Sequence, residues 1–159
     1  MSKAVLEALK AKFAEAIILT QSDFGDDIAT VRRDKLVDIA TFLRDDPAMK
    51  MNFPCYATVI DWLGDDRTRF QVVYELRSLA HGHRVRLKID VAEDDATCPT
   101  LSGLWPAFNW LEREAFDMYG IRFTGHPDLR RIYMYDEFIG YPLRKDYPVN
   151  RRQPLIGPK

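Results

Sequence analysis

The chain's 159 residues are 47% hydrophobic and 30% charged, with 23 lysines and arginines against 24 acids. That length and balance suit one ordered globular domain with its own core, and near-neutral charge disfavours a general nucleic-acid binder, which needs a basic excess to neutralise phosphates. No apolar run approaches the roughly 20 residues of a membrane span. The opening stretch MSKAVLEALKAKFAEAII carries Glu7 and Glu15 and suits neither a secretory nor a mitochondrial leader, so a cytoplasmic location is expected. Charge is uneven: residues 1–100 hold 14 basic and 17 acidic groups, whereas 126–159 hold 7 basic and 4 acidic. Cys55 and Cys98 form no CxxC pair and are read as reduced, small apolar side chains.

Val5, Leu6, Leu9 and Phe13 recur at helical spacing and predict an amphipathic helix over residues 3–15, followed by a short strand from Ile17 to Thr20. Asp34 is the expected N-cap of a second helix with Leu36, Ile39, Ala40 and Leu43 on its apolar stripe, ending before Pro47. From Pro54 the period becomes two. Phe70, Val72, Tyr74 and Leu76 alternate with Gln71, Val73, Glu75 and Arg77, and Val85, Leu87, Ile89 and Val91 alternate with Arg84, Arg86, Lys88 and Asp90. With turns at Gly64-Asp65-Asp66 and His81-Gly82, residues 54–62, 69–79 and 84–91 read as an antiparallel meander. A polar loop from Glu93 to Thr100 leads to a third helix near Trp105–Tyr119, with Pro106 in its first turn and Gly120 as its stop. The expected class is α+β: a two-layer sandwich of helices on a mixed, largely antiparallel sheet, followed by an extended C-terminal arm. The body is placed at 1–120 and the arm at 121–159, where Pro127, Pro142, Pro148, Pro154 and Pro158 break any long element. Lacking a core of its own, such an arm is expected to be protease-sensitive after about Gly120 unless another surface covers it.

On a helical wheel Ala107, Trp110, Leu111, Ala115 and Met118 form the apolar arc of the third helix, with Glu114 inside it. A carboxylate there needs a partner, and Arg130, Arg131 and Arg144 are the expected ones. Glu112, Arg113 and Asp117 then fall on the opposite, polar side around Phe116, which reads as an interface anchor. In GHPDLRRI, Pro127 holds His126 extended and starts a turn that Asp128 caps. His126 has no His or Cys beside it and reads as a structural hydrogen bonder, and His81-x-His83 as two solvated hairpin-tip residues. GYPLRKDYP sets Arg144 and Lys145 between Pro142 and Pro148, a stiffened basic pair suited to acids across an interface. No GxGxxG, GxxxxGK[ST], HExxH, GxSxG or cysteine cluster occurs, so no cofactor, metal or catalytic residue is expected on this chain.

The pattern ERExxDMYGIxFxGHPDLRRI, here EREAFDMYGIRFTGHPDLRRI, followed by GYPLRKDYP closely resembles the signature of the 30-kDa-type subunit family of respiratory complex I, the proton-translocating NADH:quinone oxidoreductase; the likeness runs from about Cys55 to Pro148. Tyr141 stands where many relatives carry histidine, and the short tail RRQPLIGPK resembles bacterial versions that stop soon after the second motif. The resemblance implies a non-redox subunit of the peripheral arm at the cytoplasmic face of the bacterial inner membrane, held there by partners, and packed chiefly on the 49-kDa-type subunit, which helps form the quinone site. FMN, iron-sulfur clusters, NADH and quinone would sit on other subunits. It further implies that Glu112, Arg113, Glu114, Phe116, Asp117, His126, Pro127, Asp128, Arg130, Arg131, Pro142, Leu143, Arg144, Lys145, Asp146, Tyr147 and Pro148 serve assembly or partner contact. Related complexes use ferredoxin, F420H2 or hydrogenase-linked donors, and a free-standing α+β binding module that uses the arm on RNA is the reading from another class; the strand faces lack the aromatic stacking pattern such modules carry.

Overall fold

The computed structural model describes residues 4–154; Lys3 and the last five residues of the expected arm lie outside them. Helix α1 (Ala4–Phe13) buries Val5, Leu6 and Leu9, and a short 3-10 turn, Ala14–Ala16, leads into strand β1 (Ile17–Asp23). The expected short strand is longer and belongs to a hairpin, because the chain reverses at Phe24-Gly25 and returns as β2 (Asp26–Val31). Both turn residues have positive φ, 52° and 87°, the geometry that matches strand twist in a two-residue hairpin. Helix α2 (Leu36–Asp45) follows a 3-10 turn, Arg33–Lys35, and Asp34 does not cap it. Its carboxylate is instead held by Arg32 Nε and Nη2 at 3.0 and 2.9 Å.

The meander forms as expected: β3 (Phe53–Asp61), β4 (Phe70–Arg77) and β5 (Arg84–Val91). β2 joins it by pairing parallel with β5, which makes the sheet mixed, in the order β1-β2-β5-β4-β3. Registers fix the two faces. The rung Ala57–Tyr74–Leu87–Ala29 points into one core with Leu9, Leu36, Ile39, Leu43 and Phe108 from the helices. The neighbouring rung Tyr56–Glu75–Arg86–Ile28 points to the open side. There Glu75, only 1% exposed, is forked by Arg84 and also held by Arg86.

After β5, the expected polar loop contains a three-residue strand, β6 (Thr97–Pro99), which pairs parallel with β7 (Arg122–Thr124). Between them, helix α3 (Phe108–Tyr119) packs on β3. It begins two residues after Pro106 and ends as expected at Gly120, whose φ is 80°. From Gly125 to Pro154 the backbone has no helix or strand. Cys55 and Cys98 are both free, and no helix among the described residues is long and apolar enough to cross a membrane.

Candidate functional site

The polar side of α3 faces inward. Glu112 and Asp117 are fully buried and Arg113 is nearly so, whereas Trp110, assigned to the apolar arc, is 63% exposed. A wheel that ranks faces by hydropathy therefore misplaces these four residues, while Ala115 and Met118 of the apolar arc are buried as expected. The reason is local: each buried charge has backbone or hydroxyl partners brought in by segments remote in sequence, and a buried polar group that is satisfied loses most of its desolvation penalty.

Glu112 fastens the start of the helix to the turn before it. Its Oε1 accepts from Tyr74 Oη at 2.9 Å and Leu101 N at 2.8 Å, and Oε2 accepts from Thr100 Oγ1. No arginine reaches it, and burial raises its carboxyl above the ordinary glutamate range although the three donors oppose the shift.

Arg113 and Asp117, one helical turn apart, clamp the stretch 130–134. Arg113 donates from Nε to Arg130 O at 3.0 Å and from Nη2 to Arg131 O at 3.3 Å. Asp117 Oδ2 accepts from Ile132 N, Tyr133 N and Met134 N at 3.0, 2.8 and 2.9 Å, and Oδ1 accepts from Arg131 Nη1 at 2.8 Å. One side chain thus takes the carbonyls and the other the amides of a segment without secondary structure. Burial works against the Asp117 carboxylate, yet the three amides and Arg131 hold it below the usual aspartate range.

The second motif closes the other end of α3. Leu143 N donates to Met118 O at 3.2 Å and Arg144 Nε to Tyr119 O at 2.6 Å, supplying two of the carbonyls a helix C-terminus leaves open and placing a cation at its negative end. Arg144 also lies over Phe70 and Tyr141, 4.9 and 4.6 Å from the ring centres. Gly120 is required twice over: its φ is left-handed, and a Cβ there would meet Tyr141 at 2.6 Å and Arg144 at 2.8 Å. Arg131 stands between Phe138 and Tyr141, and Phe138 stacks on Tyr147 at 6.0 Å.

A third anchor went unread in the sequence. Asp61, at the end of β3, accepts from Lys145 N at 2.9 Å and Leu63 N at 3.0 Å. Arg69, almost enclosed, pairs with Asp61 at 3.4 Å, with Asp146 at 2.7 Å and with Glu93. Burial opposes its charge, but the Asp146 and Asp61 carboxylates raise its pKa overall. The acid at the end of a strand and the arginine at the start of the next resembled ordinary turn residues, and only the fold brings them to the second motif.

Several sequence assignments therefore change. Glu114 is half-buried and forms no ion pair among the described residues, because Arg131 is taken by Asp117, Arg144 by the helix end, and Arg130 by Asp128 in a two-point contact at 2.7 and 2.8 Å. Asp128 consequently does not cap a turn. Phe116 is half-buried. His126 Nε2 donates to Asn109 O at 3.1 Å and its Nδ1 accepts from Asp128 N at 3.1 Å. Pro127, Leu143, Lys145, Asp146 and Pro148 are exposed, and Pro142 and Tyr147 are half-buried. No group of three metal-ligating side chains occurs among the described residues.

The family model described as "Respiratory-chain NADH dehydrogenase, 30 Kd subunit" matches residues 29–153. The chain is 43% identical over 158 residues to the C subunit of NADH-quinone oxidoreductase from Geobacter sulfurreducens, covering 98% of this chain and 96% of that one. It is 46% identical over 149 residues to the corresponding protein of Roseiflexus sp., with 94% and 85% covered. Among solved structures, a trypsin-resistant fragment (1–134) of Nqo5 superposes with a TM-score of 0.70 at 34% identity, covering 80% of this chain and 98% of that one. A chain of the membrane-bound sulfane sulfur reductase, an archaeal respiratory membrane complex, shares the fold with a TM-score of 0.78 at 21% identity over 93% of this chain and 86% of that one.

Proposed function

Because the chain belongs to the family of the respiratory-chain NADH dehydrogenase 30 Kd subunit, we propose that it is a non-redox structural subunit of the peripheral arm of a proton-translocating NADH:quinone oxidoreductase. In this reading it packs on the 49-kDa-type subunit, supports electron transfer through FMN and iron-sulfur clusters held by other subunits, and reaches the cytoplasmic face of the inner membrane only through those partners. The observation that carries it is the match along the relatives' length, 96% of the Geobacter sulfurreducens protein. The geometry adds support: both sequence motifs converge on α3, where their charges brace an irregular segment against the body. An element fixed in this way loses little entropy when a partner covers it.

The test is a tagged chain recovered from detergent-solubilised membranes, with bound proteins identified and NADH:quinone activity assayed. Recovery of the 49-kDa-type subunit with active, iron-sulfur-containing partners is the expected result. A chain found only in the cytosol, alone or with RNA, would overturn the reading. A second reading keeps the structural role and changes the electron donor of the complex. Substitution of NADH by ferredoxin, F420H2 or a hydrogenase in the same assay separates the two.

A further inference from the structure

The five-stranded sheet treats its two edges differently. At one edge β3 carries Pro54 and a register shift between Pro54 and Tyr56, and α3 packs on it. A proline, a bulge and a covering helix are the devices by which native sheets close an edge to further pairing. At the other edge lies β1, which pairs with β2 alone. Its register shift falls at the start, between Ile17 and Leu19, and from Leu19 to Asp23 the pairing is regular. Leu19-Thr20-Gln21-Ser22 contains no charge and no proline.

The hairpin decides which main-chain groups of β1 face outward. Its two-residue turn makes Asp23 and Asp26 the pair that exchanges hydrogen bonds, and alternation along an antiparallel ladder then turns the N–H and C=O of Ser22 and Thr20 away from β2. Among the described residues no backbone group of another segment bonds to them. The exposed side chains beside this row are apolar: Ile18 is 60% and Leu19 52% exposed, and Phe24 at the tip is fully so. Phe24 also holds a left-handed backbone, φ 52°, which is costly for a bulky residue. The ribbon is thus strained at its tip and open along its edge, a combination that points to use rather than to stability.

Building on the function proposed above, we propose that β1 is a receptor edge, along which a neighbouring subunit of the complex lays an extended strand over Leu19–Ser22 and makes the sheet six-stranded. The occupant is a strand because the groups left over are main-chain donors and acceptors at strand spacing, which another extended backbone matches. Its side chains are uncharged beside Thr20 and Gln21, and it brings apolar surface to Leu19 and Phe24.

The test compares Thr20→Pro with Thr20→Ala in the full chain. Proline removes one outward N–H and leaves the ladder to β2 whole, whereas alanine removes the side chain and keeps the N–H. Both isolated variants should unfold close to the parent. In cells assembling the complex, Thr20→Pro should lower the yield of complex by about tenfold or more and Thr20→Ala should leave it unchanged. A normal yield with proline overturns the receptor edge, and equal losses from both variants overturn strand pairing in favour of a side-chain contact. Hydrogen exchange needs no variant: the amides of residues 20 and 22, free in the isolated chain, should be slowed by about tenfold or more in the complex. Unslowed exchange there overturns the proposal. An isolated parent chain that sediments as a dimer, and as a monomer once Thr20 is proline, overturns the neighbouring subunit as occupant in favour of a second copy. A parent chain recovered without respiratory subunits overturns instead the function on which the proposal rests.

Discussion

Asp117→Ala tests the clamp most directly. The substitution removes a fully buried carboxylate that accepts from the amides of Ile132, Tyr133 and Met134 and from Arg131. A buried donor left without an acceptor costs about 1–3 kcal/mol, and breaking a buried ion pair costs about 3–5 kcal/mol. These losses overlap, since Arg131 keeps Gly140 O and two aromatic rings and the freed segment can open to water. A local loss of about 4 kcal/mol is expected, which is roughly a thousandfold in the opening equilibrium. Amide hydrogen exchange on the full chain reads this residue by residue: protection at 132–134 should fall by about that factor, and β4 amides, which report global unfolding, should fall by no more than the same factor, because the unfolded chain lacks the contact too. Unaltered exchange at 132–134 in the variant, or no protection there in the parent chain, would refute the reasoning. The pH dependence has a definite sign. The folded state holds this carboxyl below its ordinary range, so its stabilisation is complete above the usual aspartate value and is lost as pH falls through the lowered one.

Three further outcomes follow from the same structure. Glu75 is pushed up by burial but drawn down further by Arg84 and Arg86, to about 2 from an ordinary 4.5, which corresponds to about 3 kcal/mol present above pH ~4.5 and lost on approach to pH 2; Glu75→Gln should flatten that acid limb in urea titrations, and an unchanged limb would contradict it. Glu112 has the opposite sign, since burial raises its carboxyl: its contribution is largest below the ordinary glutamate value and declines as pH rises. Glu112→Gln, whose hydroxyl partners can reverse their donors, should therefore gain on the parent as pH rises above the ordinary glutamate range, and a pH-independent difference would sink the assignment. Gly120→Ala should cost more than the ~1–2 kcal/mol of a left-handed alanine, because its Cβ meets Tyr141 and Arg144; in a Tyr141→Ala background the cost should fall, with the Arg144 contact remaining, and equal costs in both backgrounds would deny the Tyr141 contact.

The meander was most legible at β5, which alternates strictly with one face buried, so Val85, Leu87, Ile89 and Val91 declare both element and orientation, whereas β4 is buried on both faces. The β1–β2 hairpin was read only in part: its turn uses Phe24, a residue no turn rule favours, in a left-handed conformation. The third helix was placed correctly and Ala115 and Met118 are buried as read, but its charged residues were put on the wrong side, since Glu112 and Asp117 are satisfied by residues 100–101 and 132–134 and periodicity carries no record of such partners. The motifs drew attention to one half of each contact. Tyr74, Thr100, Asp61 and Arg69, which complete them, looked like unexceptional strand and turn residues.

The parallel pairing of β2 with β5 bears on the order in which the protein is made. Asp27 to Thr30 find their second strand partners only at Val85 to Lys88, so a nascent chain that has exposed α1, β1 and β2 holds a two-stranded ribbon with no sheet to join. An isolated hairpin of this kind is marginal in water, whereas β3 pairs with β4 and β4 with β5, each its immediate successor, and these can form as they emerge. Synthesis therefore runs ahead of structure at the N-terminus, and the ribbon waits for β5. Its uncharged, exposed Ile18 and Leu19 make that interval the stage at which a chaperone would matter most.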